Sequence, residues 1–413
     1  MLQHWIWLAT RKGVRDGRKM ELLERFSDPE QIYFASKGDY ERLELTEKEI
    51  SSLRDKDLDE ARTVLENCDR LGIRVMTVND GIYPKRLKNI PDPPVVLYYK
   101  GRMPQLDDVP TIGVVGTRKA SLYGLNAAKK MGYQIAACGG TVVSGLAEGI
   151  DAMAMQGALT AGGTVIGIVG SGCEQIYPKC NRALFADTER YGCIISPFPP
   201  GSPPARHHFP IRNRLISGIS DGVLVVEAPE DSGALITADR AAQQGRDVFV
   251  VPGNIDVETA RGSNALLRDG GIPVSCGWDV VGEYESRYPG KITKNNGGAM
   301  LRALSREEAE VPLRVAQKTK KVSKKPAEKL PETKISIDKQ ENEPYIDFTK
   351  IPGLSEQEKR LLEILKDGPL VVDDLIDRAA LGAAAVNSGL TMLEIKGHIR
   401  RLPGKKIALS GKS

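Results

Sequence analysis

The chain has 413 residues, enough for two or three domains, with 41% apolar and 27% charged residues and a net charge of +4. No run of 18 apolar residues offers a membrane span, and residues 1–20 lack the ordered regions and cleavage site of a signal peptide, so a cytoplasmic protein is expected. Six cysteines without a CxxC and four histidines argue against a disulfide scaffold or a zinc module.

The first stretch, 1–105, shows helical spacing at Leu22, Leu23 and Phe26 and again at Ala61, Val64, Leu65 and Cys68. It predicts a small helical domain. A strand follows at 73–78, and then a segment with Pro91, Pro93 and Pro94, read as a connector without regular structure.

From 106 to 285 short β-branched runs alternate with Ala/Gly-rich helical stretches. Strands are predicted at 111–115, 141–144, 164–169, 193–196, 222–227 and 247–251, which argues for a doubly wound, mostly parallel α/β sheet. Between 197 and 210 six prolines interrupt the alternation, and the helix is expected to resume near Arg212. This region holds 26 of the 42 glycines, most at predicted strand ends, where small residues leave backbone N–H groups open to an anion.

Residues 286–353 carry 15 basic against 9 acidic residues with little apolar periodicity, and read as a basic flexible linker. Residues 354–413 are predicted as three helices followed by a hairpin, a winged helix. Its third helix, 383–394, contains no Lys or Arg, while Arg400, Arg401, Lys405 and Lys406 fall in the wing, so direct major-groove reading is not expected.

Candidate binding residues cluster at the predicted strand ends. They are Gly116 and Arg118 after the first strand, Ser144 and Gly145 after the second, and Ser232, Gly233 and Thr237 after the fifth. Arg212, Asn213 and Arg214 begin a helix, and Lys179, Asn181 and Arg182 follow Tyr177-Pro178. Guanidinium groups grip phosphate through paired hydrogen bonds, and Phe209 offers a ring for base stacking. Asp151, Glu148 and Glu227 lack the His or Cys partner of a catalytic set. The only Gly-Lys-Ser, at 411–413, lacks the upstream glycine of a P-loop, and His207-His208 has no accompanying metal ligands. Neither an enzyme nor a cofactor is expected.

The predicted core also carries the motifs Val115-Gly116-Thr117-Arg118, Ser144-Gly145-Leu146-Ala147, Gly149-Ile150-Asp151, Phe209-Pro210-Ile211-Arg212-Asn213-Arg214, Ser232-Gly233-Ala234-Leu235-Ile236-Thr237 and Val251-Pro252-Gly253. Through them the chain resembles, over about 70–285, the DNA-processing protein A family (DprA, also called Smf). Met155 and Pro197 stand where the family usually has His and Glu. The resemblance implies an extended Rossmann-like core with a SAM-like helical start and a winged end. It also implies single-stranded DNA binding without sequence preference, a homodimer, and transfer of the strand to the RecA recombinase in natural transformation. It places self-association near Leu266 and Leu267. The competing class is a nucleotide-processing Rossmann enzyme of the phosphoribohydrolase type, whose Pro-Gly-Gly-x-Gly-Thr-x-x-Glu run is missing at Val251-Pro252-Gly253-Asn254.

Overall fold

The computed structural model describes residues 2–295 and, beyond them, 355–368, 370–379, 386, 389, 390, 392–394, 396, 398–402 and 406–409. The chain divides into two compact units, 1–315 and 316–413. Most of the predicted basic linker, 296–353, lies outside the described residues. No helix among the described residues is long and apolar enough to cross a membrane.

The first unit opens with six helices, α1 (Leu2–Thr10), α2 (Asp16–Phe26), α3 (Pro29–Phe34), α4 (Lys37–Glu41), α5 (Glu47–Arg54) and α6 (Asp59–Leu71). Reciprocal caps start two of them: Ser36 with Asp39 at α4 and Thr46 with Glu49 at α5. Their apolar faces do not form a separate core. Trp5, Ile6, Trp7 and Leu8 belong to the same buried cluster as the sheet residues, which runs on to Ile292.

The sheet has nine strands: β1 (Arg74–Thr77), β2 (Val96–Gly101), β3 (Thr111–Val115), β4 (Thr141–Ser144), β5 (Val165–Ile168), β6 (Cys193–Ser196), β7 (Gly222–Val225), β8 (Asp247–Val250) and β9 (Ile272–Pro273). Their order is β1-β2-β6-β5-β4-β3-β7-β8-β9. From β6 to β9 all neighbours are parallel, while β2 pairs antiparallel with β6 and with β1. The helices α8 (Leu122–Ala137), α9 (Ile150–Thr160), α10 (Arg182–Tyr191), α11 (His208–Ile219), α12 (Gly233–Gln243), α13 (Arg261–Arg268) and α14 (Gly277–Val281) follow strands in turn; a single turn, α7 (Lys85–Lys88), precedes β2.

Two local expectations are corrected. The segment read as an irregular connector contains β2, because its prolines end at Pro94 and the next residues, Val95 to Tyr99, are all apolar or aromatic and buried, four of the five β-branched or aromatic. Helix α11 begins at His208, four residues before Arg212, with Pro210 in its first turn, where a missing N–H breaks no intrahelical bond.

At the strand beginnings, Asp221 is fully buried and ties the layers together. Its carboxylate accepts from Thr111 N (2.9 Å), Arg287 Nη1 (2.9 Å), the Tyr288 hydroxyl (3.0 Å) and Arg86 Nη1.

The second unit contains α15 (Glu356–Ile364), β10 (Leu370–Val371), α16 (Val372–Ala379), helical residues within 386–394, β11 (Ile399–Leu402) and β12 (Lys406–Leu409). The strands form a sheet in the order β10-β12-β11 over a core of Leu361, Leu362, Leu375, Val386, Leu390 and Leu393, the winged-helix arrangement. Lys405 of the predicted wing lies outside the described residues.

Candidate functional site

In the parallel part of the sheet the chain moves from β3 out to β6 and then returns to the other side of β3, so the topological switch point lies between β3 and β7. Loops after neighbouring strands diverge there and leave a crevice beyond the carboxyl ends. The crevice measures about 410 Å³ and is lined from four directions. Gly116, Thr117, Arg118 and Lys119 follow β3; Ala147 comes from the β4–α9 connection and Asp151 from the first turn of α9; Phe209, Arg212 and Asn213 come from α11; and Ser232, Gly233 and Thr237 follow β7.

Arg212 forms the floor. It is only 4% exposed, its Nη1 donates to the Ile168 carbonyl at 2.9 Å, and its Nε is buried without a partner. Burial draws its pKa down to about 10; Asp151 opposes that shift and Arg118 adds to it. Burial likewise raises the pKa of Asp151, against the pull of Arg212 and of the Gly145 N–H, which donates to Asp151 Oδ2 at 3.0 Å. A buried cation with an unused donor is a group still short of one acceptor.

Two guanidinium groups lie close to the ring of Phe209. Arg118 Cζ lies 5.3 Å from its ring centroid and Arg212 Cζ lies 5.8 Å away. Tyr177, 45% exposed, has its ring 6.1 Å from that of Phe209. Arg118, Phe209 and Arg212 also line a smaller recess of about 100 Å³ with Gly145, Glu148, Tyr177 and Pro178, so these three side chains are shared by both hollows. Cations flanking an aromatic face suit a ligand that carries both phosphates and planar bases.

The sequence candidates sort into three groups. Gly116, Arg118, Arg212, Asn213, Ser232, Gly233 and Thr237 meet at the crevice, and Gly145 at the recess. Ser144, Asn181 and the Gly145 amide support it instead. Ser144 Oγ donates to Val114 O at 2.7 Å, and Asn181 Nδ2 donates to the carbonyls of Leu146 and Ala147 at 2.9 and 3.1 Å. The Gly145 N–H, anticipated as a ligand donor, is occupied by Asp151.

Arg214, Lys179 and Arg182 lie elsewhere. Arg214 turns to the helical start of the chain, with Nη2 on Asp16 at 2.8 Å and Nη1 on the carbonyls of Pro91 and Asp92. Lys179, directly after Pro178, and Arg182, the first residue of α10, line neither hollow. Lys119, beside Arg118, is a crevice cation that sequence reasoning missed, although an Arg-Lys pair at a strand end is a signal that could have found it.

The remaining acid and histidine candidates are engaged. Glu227 is 2% exposed and accepts from Ser121 N (3.1 Å), Ser121 Oγ (2.7 Å) and the Thr259 hydroxyl. Glu148 accepts from the Cys180 thiol at 3.2 Å. His208 stacks on Phe198 with centroids 3.8 Å apart, and its Nδ1 lies 3.0 Å from the Gly170 carbonyl. Leu266 packs on the core from α13, and Leu267 beside it is half-buried.

Comparison with known proteins places these features. Residues 74–285 match the family described as DNA recombination-mediator protein A, and 349–405 match the DprA winged helix domain. Protein Smf of Synechocystis sp. is 33% identical over 362 residues, 83% of this chain and 81% of that protein. The DNA processing protein DprA of Bacillus subtilis is 40% identical over 216 residues, 52% of this chain and 73% of that protein. The X-ray structure of DprA from Streptococcus pneumoniae superposes with a TM-score of 0.61 at 31% identity, covering 68% of this chain and 98% of that one.

Proposed function

The chain belongs to the DNA recombination-mediator protein A family, and from that membership we propose that it is a cytoplasmic, non-enzymatic protein that binds single-stranded DNA and loads it with the RecA recombinase during natural transformation. The observation that carries the reading is the Arg118–Phe209–Arg212 cluster, shared by the crevice and the recess. Guanidinium groups serve phosphates and the ring serves bases, with no donor pattern that selects one base over another. The engagement of Glu227 and Glu148 by neighbouring groups favours a binding role over hydrolysis of a nucleotide.

Gel shifts with single-stranded DNA, duplex DNA and a mononucleotide test the binding step. Preference for the single strand is expected; preference for duplex, or turnover of a nucleoside monophosphate, overturns the reading. The loading step is tested by strand exchange on DNA coated with single-strand-binding protein, where this protein should restore RecA activity.

Self-association is proposed at α13 and the strand after it, where Leu266 and Leu267 sit beside the free edge β9. An unpaired edge strand with Ile272 38% exposed is a surface that pairing with a second copy would cover. A folded Leu267→Arg variant should sediment as a monomer, and one that remains a dimer removes this placement.

A further inference from the structure

A second basic surface lies at the other end of the sheet. Gly101 pairs with Cys193, the first residue of β6, whereas the crevice opens after Val115, the last residue of β3. The two sites are thus at opposite ends of the parallel strands. Around Gly101 a groove of about 710 Å³ is lined by Arg74 from β1, Lys100 and Arg102 from β2 and just beyond it, and Arg190 from the end of α10.

Three features set this groove apart. First, its cations are poorly neutralised. Glu189 lies 3.3 Å from Lys100, but among the described residues no carboxylate pairs with Arg74, Arg102 or Arg190. Elsewhere Arg18, Arg42 and Arg62 each pair with an acid three positions away on the chain. Cations gathered from three elements repel one another unless an anion is present.

Second, the chain closes tightly at the base of the groove, where β2 meets the end of α10. Gly101 has φ +104°, and a Cβ there would come within 2.5 Å of Gly192 O and 2.6 Å of Glu189 O. Third, an aromatic face adjoins the cations: Arg190 Cζ lies 5.2 Å from the ring of Tyr191, which is 52% exposed. Unpaired arginines beside an exposed ring match a single strand's phosphates and bases better than the carboxylates of an acidic protein.

We propose that the Arg74–Lys100–Arg102–Arg190 groove is a second single-stranded DNA contact, engaged by a strand that also occupies the crevice. The inference rests on the proposed binding of single strands in the crevice. A short oligonucleotide fills one site; a long one reaches both.

The test uses the full chain with Arg74→Glu, Arg102→Glu and Arg190→Glu combined, and fluorescence anisotropy with oligothymidylates of about 6 and about 25 nucleotides. Affinity for the long strand should fall by about tenfold or more, and its log K against log salt slope should flatten by about 0.7 for each phosphate that the groove no longer holds. Binding of the short strand should not change. The Arg74→Gln, Arg102→Gln, Arg190→Gln chain should move in the same direction and carries the test if the glutamate chain does not fold. Unchanged binding of both lengths by a folded variant overturns the groove, as does unchanged DNA binding accompanied by loss of an acidic protein partner. An equal loss for both lengths overturns it too, since the effect then passes through the fold. Failure of the unaltered chain to bind either oligonucleotide removes the crevice reading as well, which distinguishes the two failures.

Discussion

Gly145 and Arg212 claim the same space: a Cβ on residue 145 would lie 1.6 Å from Arg212 Nη1 and 2.4 Å from its Cζ. The guanidinium can lie flat against the β4–α9 connection only because the backbone there is bare. Gly145→Ala should expel it from the Ile168 carbonyl and from Asp151, leaving buried charge uncompensated, at a cost of about 3 kcal/mol in stability. Urea denaturation and single-strand binding should both register the loss; a variant that melts and binds as the unaltered protein does would contradict this packing.

Arg118 and Phe209 should separate by their response to salt. Arg118→Ala should weaken single-strand binding and flatten the salt slope by about 0.7, whereas Arg118→Lys should retain the slope and lose part of the affinity. Phe209→Ala should cost about 1–3 kcal/mol of binding with little change in slope, because stacking releases no counterions. Titrations at several salt concentrations read all three.

Asp221 is predicted to matter far more for folding than for DNA. Asp221→Ala leaves Arg86, whose side chain is 10% exposed, with its charge unpaired, and should destabilise by about 3–5 kcal/mol. Removing the outer partner instead, as in Arg287→Ala, should cost about 1 kcal/mol or less because that side chain is 59% exposed. Comparable losses from the two variants by thermal denaturation would refute the ranking.

The winged unit should weaken in acid through one carboxylate. Glu358 accepts from Lys396 Nζ at 2.8 and 3.0 Å and caps α15 by accepting from Ser355 N at 2.6 Å, and the Lys396 contact, then Ser355, holds its pKa below 4.5. A folded-state pKa below the unfolded one contributes stability above about 4.5 that is lost as pH falls through the folded value. Protection factors of the amides in residues 356–379 of the full chain should therefore fall below that pH, and less steeply in Lys396→Met.

The parallel core is readable from sequence because its strands are short β-branched runs that end in glycine and serine, both local signals. The rest is set by direction and by distant partners. Arg212 and Arg214 look equivalent in the chain, but residues two apart on a helix point to different faces, and only Arg212 enters the crevice. The Gly145 amide looks free in the sequence because nothing local reveals that Asp151 folds back to accept from it. Strand β2 is hidden by the prolines that precede it, since its pairing with β6 is a long-range event.

That pairing also orders events during synthesis. Strand β2 leaves the ribosome early, but Tyr98 finds its partner only when Ser196 has emerged. The interval is roughly 100 residues, or about 5–20 s of translation. Throughout it β2 is covered on one side by β1 alone, and Leu97 and Tyr98, buried in the finished protein, have no sheet to rest on. The nascent chain therefore carries an open apolar edge for seconds, a window in which a chaperone, or a second nascent copy, competes with β6.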